Sequence, residues 1–387
     1  MSAGLRSFHV FLVAGEESGD RLGAALMKAL KSVAPSVRFS GVGGRQMVAE
    51  GLSSVIDTMP PAIIGFAAIP AGIFRYLRLI RQTADAAIAA RPDILVIIDS
   101  PEFTHRVAKR VRRAAPGIPI VDYGAPSVWA WRPGRARAMR KYIDHVMALL
   151  PFEPAAFKRL DGPPCSFVGH PATERVKELR PTIEDAHRRA SPPPIVLVMP
   201  GSRSGEIRRL LGLFKETVEG IASRKGDVEF IIPAVPALAD LLRHETAGWR
   251  AKVNVASEPD ERNAAFRRAR VALVKSGTST LEVALAGVPM VTTYRISHLE
   301  GFVAHFVLKV QSVILVNLIL GENVVPELLQ YNATAEKLVA TALPLFDEGP
   351  QRQRQLDAFA RLDEVMQIGG ETPSMRAAKI VLEHVQP

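Results

Sequence analysis

The chain contains a single cysteine, Cys165, among 387 residues. That excludes an internal disulfide framework and suits a reducing compartment. It has no Asp-X-Asp pair and no Cys/His cluster at ligand spacing, so no metal site is expected. It has neither a Gly-X-Gly-X-X-Gly turn nor a Walker loop, which argues against a dinucleotide or P-loop reading. No unbroken apolar run reaches the roughly 20 residues needed to span a bilayer. The opening HVFLVAG is short, follows a single Arg and runs into charges, so no signal peptide is expected. The basic residues are dispersed and follow no recognised nucleic-acid motif, so nucleic acid is not an expected partner.

What is present is a globular composition, 48% apolar and 23% charged, on a chain long enough for two domains. Lys plus Arg number 49 against 39 Asp plus Glu, a net charge of +10. That surplus favours acidic partners such as nucleic acid, phosphorylated metabolites or an anionic membrane face.

Short Val/Ile-rich runs alternate with helical patterns. HVFLVAG (9–15), ILVIID (94–99), PIVDYG (119–124), HVMALL (145–150) and CSFVGH (165–170) read as one set of strands. IVLVMP (195–200), VEFIIPA (228–234), ARVALV (269–274) and PMVTTY (289–294) read as a second. Continuous apolar strands between helices predict parallel sheets of βαβ units. The fold class is therefore α/β, two doubly wound Rossmann-like domains facing across a cleft. The expected division is a first domain over 1–177, a charged and Pro-rich linker over 178–194, a second domain over 195–371 and a C-terminal helix over 372–387. That helix has the option of packing back on the first domain.

Ligands of such sheets bind beyond the carboxyl ends of the strands. In the second domain two such loops stand out. PGSRSGE offers Gly201, Ser202 and Arg203, and SGTST offers Ser276, Gly277 and Thr278. Each precedes a helix, so backbone N–H groups and a helix dipole could hold an anion there. A diphosphate shared by both loops fits, with Glu282 accepting from a ribose hydroxyl. Simple capping and turning by the same residues is the alternative.

In the first domain GEESGD carries Glu16, Glu17 and Asp20, which would repel phosphate. Glu16 or Ser18 suits a sugar instead, with Ser18 or Asp20 capping the following helix. Asp99 ends the most apolar strand, as a general base or as a turn-forming residue before Ser-Pro. Trp129 in APSVWAWRPGR could stack on a sugar, meet lipid, or pack in a core or dimer contact. His170 reads as structural. The stretch 62–82 joins apolar Ile64, Phe66 and Ile69 to Arg75, Arg78 and Arg81. It reads either as a membrane-surface element or as an ordinary amphipathic helix.

VAGEESGD, GVGGRQMVAEG, IDSPEF, PSVWAWR, LLPFE, FVGHP, PGSRSGEI, SGTSTLE and VVPELLQ occur in that order. Together they resemble the lipid-A-disaccharide synthase family across nearly the whole chain. The resemblance implies an inverting, metal-independent glycosyltransferase with no cofactor, peripheral on the cytoplasmic face of the inner membrane. Its UDP-sugar donor would be UDP-2,3-diacylglucosamine and its acylated sugar-phosphate acceptor 2,3-diacylglucosamine 1-phosphate. It makes Asp99 the base and gives Arg203 and the Ser276–Gly277–Thr278 loop the leaving UDP. It places Glu282 at the ribose and Gly15, Glu16 and Ser18 at the acceptor. Asn317 and Gln330 fall in family-like segments as further cleft residues. Ala68, Glu174 and Val316 depart from the family pattern. A homodimer is one open option. The rivals are another UDP-sugar enzyme of the same fold, such as an epimerase, and a non-catalytic membrane-bound nucleotide-sugar binder.

Overall fold

The computed structural model describes residues 7–56, 69–295 and 312–385, with the backbone alone at 69–73. Two compact units result. The first comprises Met1–Pro171 with Gly369–Pro387, the second Ala172–Ile368.

The first unit runs β1 (His9–Ala14), α1 (Glu17–Val33), β2 (Arg38–Val42), α2 (Arg45–Ala49), β3 (Ser53–Ser54) and α3 (Ile69–Ala90). It continues with β4 (Ile94–Ile98), α4 (Pro101–Ala114), β5 (Ile120–Tyr123), α5 (Gly134–Met139), β6 (His145–Ala148) and β7 (Cys165–Phe167). These strands form one sheet in the order β3-β2-β1-β4-β5-β6-β7, with every pairing parallel. Side chains alternate across a strand. Val10, Leu12, Ala14, Val96 and Ile98 enter the core on one face. Phe11, Val13, Leu95 and Ile97 enter the core on the other. Both faces are buried, which is why these strands read as continuous apolar runs.

The second unit contains α6 (Ile183–Ala190), β8 (Ile195–Met199), α7 (Ser204–Lys225), β9 (Glu229–Pro233), β10 (Val253–Ala256), β11 (Val271–Lys275), α8 (Ser279–Leu285), β12 (Met290–Tyr294) and β13 (Glu327–Leu329). Its sheet has the order β10-β9-β8-β11-β12-β13, again parallel throughout. The final helix, α9 (Pro373–His384), lies in the first unit against α1. The Thr372 side chain accepts from Met375 N at 3.3 Å at its start, and Ala377, Ala378 and Val381 are buried in the first unit's core.

Two findings differ from the sequence reading. Strands β2, β3, β10 and β13 carry alternating or polar residues instead of apolar runs, because they sit at or next to the sheet edges. The expected linker, 178–194, is folded structure of the second unit, and the units divide at Pro171/Ala172 and Ile368/Gly369. Its charges are consumed internally. Asp185 is 3% exposed and accepts from Arg267 Nε and Arg268 Nε, each at 2.7 Å. Arg189 donates to the carbonyls of Phe266, Arg267, Ala286 and Gly287 at 3.0–3.1 Å. The guanidinium thereby holds the last turns before two strands, work a solvated linker would not do.

Arg189→Ala is therefore expected to lower the unfolding free energy of the second unit by at least about 1.5–3 kcal/mol, the range for one charged hydrogen bond. Urea denaturation followed by circular dichroism measures it; a change below about 0.5 kcal/mol, the usual range of an inert surface change, would restore the linker reading.

Candidate functional site

In each sheet the strand order reverses at one place, between β1 and β4 in the first unit and between β8 and β11 in the second. Loops leaving the carboxyl ends of such a strand pair diverge to opposite faces and open a crevice. The candidate residues fall at these two places.

In the first unit the loops after β1 and β4 touch. A Cβ on Gly15 would lie 2.7 Å from Ser100 Cβ, so only glycine permits the approach. Gly15 itself is buried; its part is to let the loops meet. Asp99 and Ser100 follow β4 in the left-handed region, with φ of 52° and 44°. Two successive non-glycine residues there hold strain that the surroundings must fix. Asp99 N stays in the sheet, donating to Tyr123 O at 3.1 Å. The half-buried Asp99 carboxylate accepts from Ser18 Oγ at 2.5 Å and from Ser100 N at 2.7 Å. Asp99 is thus both the turn residue and a carboxylate oriented by a hydroxyl. Ser100 Oγ is buried without a hydrogen-bond partner among the described residues. Glu16 occupies the N-cap position of α1, half-buried.

Neither Ser18 nor Asp20 caps α1, contrary to the sequence expectation; that helix has no side-chain cap. Ser18 turns to Asp99. Asp20, 4% exposed, accepts from Gly44 N, Gln46 N and Met47 N at 2.8–3.0 Å and so caps α2. A carboxylate committed to three amides is structural.

Trp129 also has a structural engagement. Its indole Nε1 donates to Glu153 Oε1 at 3.1 Å, and its ring meets Phe152 edge to face at 5.0 Å. This contact joins PSVWAWR to LLPFE, a link the sequence could not show. Glu153 is 3% exposed; burial pushes its carboxyl up to about 7, against hydrogen bonds from Trp129 and backbone amides. His170 is buried, and burial followed by the Arg21 charge brings its imidazole down to about 4, so it is neutral. Among the described residues no group of three or more His, Cys, Asp or Glu could hold a metal ion.

In the second unit, Gly201 has φ 132°, and a Cβ there would lie 2.9 Å from Glu206 Oε2. Ser202 and Arg203 are exposed, and Arg203 precedes α7 as its N-cap residue. Glu206 Oε1 receives Lys275 Nζ at 3.0 Å and lies 3.5 Å from Arg203 Nη1. Lys275 ends β11 and also stands 5.0 Å over the Tyr294 ring at the end of β12. One ion cluster therefore ties the loop after β8 to the end of β11. Sequence reasoning missed Glu206 and Lys275. The available signal was a lysine closing an otherwise apolar strand.

The hydroxyls of SGTST divide. Ser276 is 7% exposed with Oγ 3.5 Å from Val313 O, and Thr280 Oγ1 donates to Gly277 O at 2.7 Å to close the turn. Thr278 remains exposed. Glu282 is ion-paired to Arg175 Nη1, whose Nη2 donates to Asn263 Oδ1 at 2.9 Å. Gln330 follows β13 with φ 52°, half-buried. Asn317 corrects the sequence expectation. It is 2% exposed, donates to Val325 O and Glu327 Oε1, and accepts from Val324 N and Val325 N, all at 3.0 Å. Its amide fastens a loop and is fully occupied. Arg75, Arg78 and Arg81 are exposed on α3. Ile64, Phe66 and the departure Ala68 lie outside the described residues, as does the Ile69 side chain.

A family model described as lipid-A-disaccharide synthetase matches residues 10–381. The lipid-A-disaccharide synthase of Nitrobacter hamburgensis is 53% identical over 378 residues, covering 97% of this chain and 96% of that protein. That of Bradyrhizobium diazoefficiens is 50% identical over 374 residues, covering 96% and 95%. Among solved structures, MurG of Acinetobacter baumannii is similar with a TM-score of 0.59 at 15% identity, covering 97% of this chain and 99% of that one. The glycosyltransferase of kitacinnamycin gives 0.63 at 17%, covering 98% and 100%. These two likenesses establish the fold, the two-Rossmann-domain glycosyltransferase architecture.

Glu153 generates a pH prediction. Its folded value of about 7 exceeds the ordinary 4.5, so between those values the native state holds a proton that the unfolded state has lost. Stability is expected to fall as pH rises through that window. Tryptophan emission should titrate with a midpoint near 7 and lose that transition in Glu153→Gln. A parent profile flat from pH 4.5 to 8 would contradict it.

Proposed function

The chain belongs to the lipid-A-disaccharide synthase family, and from that premise we propose how its own residues carry the reaction. A 2,3-diacylglucosamine unit passes from its UDP donor to the 6-hydroxyl of 2,3-diacylglucosamine 1-phosphate. The products are a β-1,6-linked disaccharide 1-phosphate and UDP. The observation that carries the assignment is the gathering of candidate residues at the reversal point of each sheet.

Asp99 takes the proton of the acceptor hydroxyl as its oxygen attacks the donor's anomeric carbon and the bond to UDP breaks. A single displacement of this kind inverts the anomeric centre. The Ser18 hydroxyl on Asp99 Oδ2 aims the other carboxylate oxygen's lone pairs, and the strained turn at 99–100 keeps the group at the strand end. Gly15 and Glu16 border the same crevice.

The donor's diphosphate is assigned to the second unit's crevice. Gly201 and Ser202 give backbone approach, Arg203 gives a forked cation, and Gly277 and Thr278 give amides at the start of α8. Charge that grows on UDP as the bond breaks is met by these groups and by Lys275, fixed near the loop by Glu206. Glu282 reaches a ribose hydroxyl while its other contact, Arg175, orients it. Gln330 borders the donor sugar.

The membrane reading rests on α3. Its inner face buries Tyr76, Leu79 and Ile80. Its outer face exposes Phe74 by 81% and Leu77 by 44% beside Arg75, Arg78 and Arg81. Apolar and basic side chains on one exposed face suit a peripheral contact with an anionic bilayer, where both acylated substrates reside. No helix of the described residues is long and apolar enough to cross a membrane.

Asp99→Asn keeps shape and hydrogen bonding but cannot take the proton. Turnover is expected to fall by about 10²–10⁴, with UDP affinity by calorimetry near that of the parent. A variant retaining more than about a tenth of parental turnover lies outside that range and would remove the base role. Arg203→Ala should behave oppositely, weakening UDP binding by tens- to hundreds-fold for a lost contact of roughly 1.5–3 kcal/mol. Unchanged UDP affinity in a folded Arg203→Ala protein would reject the diphosphate assignment.

Phe74→Ser combined with Arg78→Glu should weaken binding to anionic liposomes and leave UDP affinity intact, each basic contact being worth about 1 kcal/mol. Equal liposome binding by parent and variant would show that the outer face of α3 does not meet the membrane.

A further inference from the structure

A second feature of the first unit is not accounted for by these roles. The outer face of α4 carries Glu102, Arg106 and Lys109 one turn apart, above the buried Phe103 and Val107. Arg132 and Arg135, from the end of PSVWAWR and the start of α5, face them. Together these side chains line an open cavity of about 500 Å³, within the size class of small-molecule sites. Four cations share a single carboxylate, leaving +3. Glu102 lies 3.2 Å from Arg135, 3.7 Å from Arg106 and 3.7 Å from Arg132.

The cations are held in place. Arg132 has φ 50° and stacks on Trp131, 4.4 Å from the ring centroid, a conformation a solvated arginine has no need of. Arg135 Nη2 donates to Pro101 O at 3.3 Å. Lys109 Nζ sits 4.9 Å over the Tyr142 ring, whose hydroxyl is anchored 3.1 Å from the buried His105. The ammonium of Lys109 is depressed from its ordinary range by burial and then by Arg135 and Arg106, a sign that positive charge in the cavity is only partly neutralised.

We infer that this cavity is a phosphate-monoester site that holds the 1-phosphate of the acceptor sugar. A phosphate monoester carries nearly two negative charges and three acceptor oxygens, which matches an excess of forked guanidinium groups. The position is suitable as well. Arg106 lies five residues, about 7.5 Å at helical rise, beyond Pro101, the first residue of α4, which itself follows Asp99 by two positions. One hexose fits that interval, with its 6-hydroxyl at Asp99 and its phosphate at the arginines. The assignment of the acceptor to the first unit follows the function proposed above, whereas the phosphate chemistry of the cavity does not depend on it. An anionic lipid headgroup also presents a phosphate, as a singly charged diester, and is the competing source.

The test compares detergent-solubilised 2,3-diacylglucosamine 1-phosphate with its 1-dephospho analogue. Parent protein, Arg106→Ala/Lys109→Ala, Arg135→Ala and Arg135→Lys are titrated by calorimetry and assayed for turnover. Both alanine variants should lose about ten- to hundredfold in affinity for the phosphorylated sugar alone, with its acceptor KM raised by a similar factor. Arg135→Lys should recover part of the loss, and UDP affinity should not change. The solvent-exposed pair Arg106 and Lys109 keeps the test open if Arg135→Ala fails to fold. Equal affinity of the parent for both sugars, or equal loss on both, would overturn the site. Retained acceptor affinity with lost binding to phosphatidylglycerol vesicles would assign the cavity to a lipid headgroup and overturn the acceptor role. A parent that binds the phosphorylated sugar selectively but forms no disaccharide would refute the reaction and leave the phosphate site standing.

Discussion

A parallel strand covered on both faces can place polar groups only at its ends. The strands β1 and β4 at the centre of the first sheet obey this constraint. Val10 through Ala14 and Ile94 through Ile98 are fully buried, so the chain's first opportunity for chemistry is the residue after each strand. Gly15 and Asp99 directly follow such strands, Gly201 stands one residue further on, and Lys275 is the last residue of β11. The reversal of strand order then decides which ends lie beside a crevice and which are covered by the next helix. The reactive residues are few because the scaffold leaves few places for them.

Much of the remaining charge is structural. Asp20 caps α2, Asp185 holds two arginines, Arg189 gathers four carbonyls, and Asn317 fastens its own loop. In each case the polar atoms are saturated by backbone or by a fixed partner, as buried groups must be. The functional candidates differ in that their surroundings are strained or incompletely satisfied. Asp99 and Ser100 occupy left-handed conformations, and among the described residues the buried Ser100 hydroxyl and one buried Glu206 oxygen have no hydrogen-bond partner. Strain and unmet hydrogen bonding at a strand end mark places where a ligand or a reaction can use them.

The basic character of the chain also acquires a location. The surplus seen in composition divides among internal latches such as Arg189, the exposed face of α3 and the cluster around Glu102. Composition alone treats these as one net charge, although only exposed cations with a local excess can attract an anion.

The sequence by itself determined the fold class, nine strands and the loops that follow them, because continuous apolar runs and small-residue turns are local signals. It also marked Asp99, Ser18, Arg203 and the SGTST loop, whose residue types announce themselves at strand ends. Tertiary structure alone decided the rest. Strands β2, β3, β10 and β13 were illegible because a strand near an edge need not be apolar on both faces. The stretch 178–194 resembled a linker because a charged helix and a solvated one have the same composition, and only the partners of Asp185 and Arg189 separate them. Ser18 on Asp99, Trp129 on Glu153, Lys275 on Glu206, and Arg132 and Arg135 on Glu102 join residues between 24 and 81 positions apart. No sequence period encodes such meetings; they arise when helices pack on a sheet and bring distant loops to the same end.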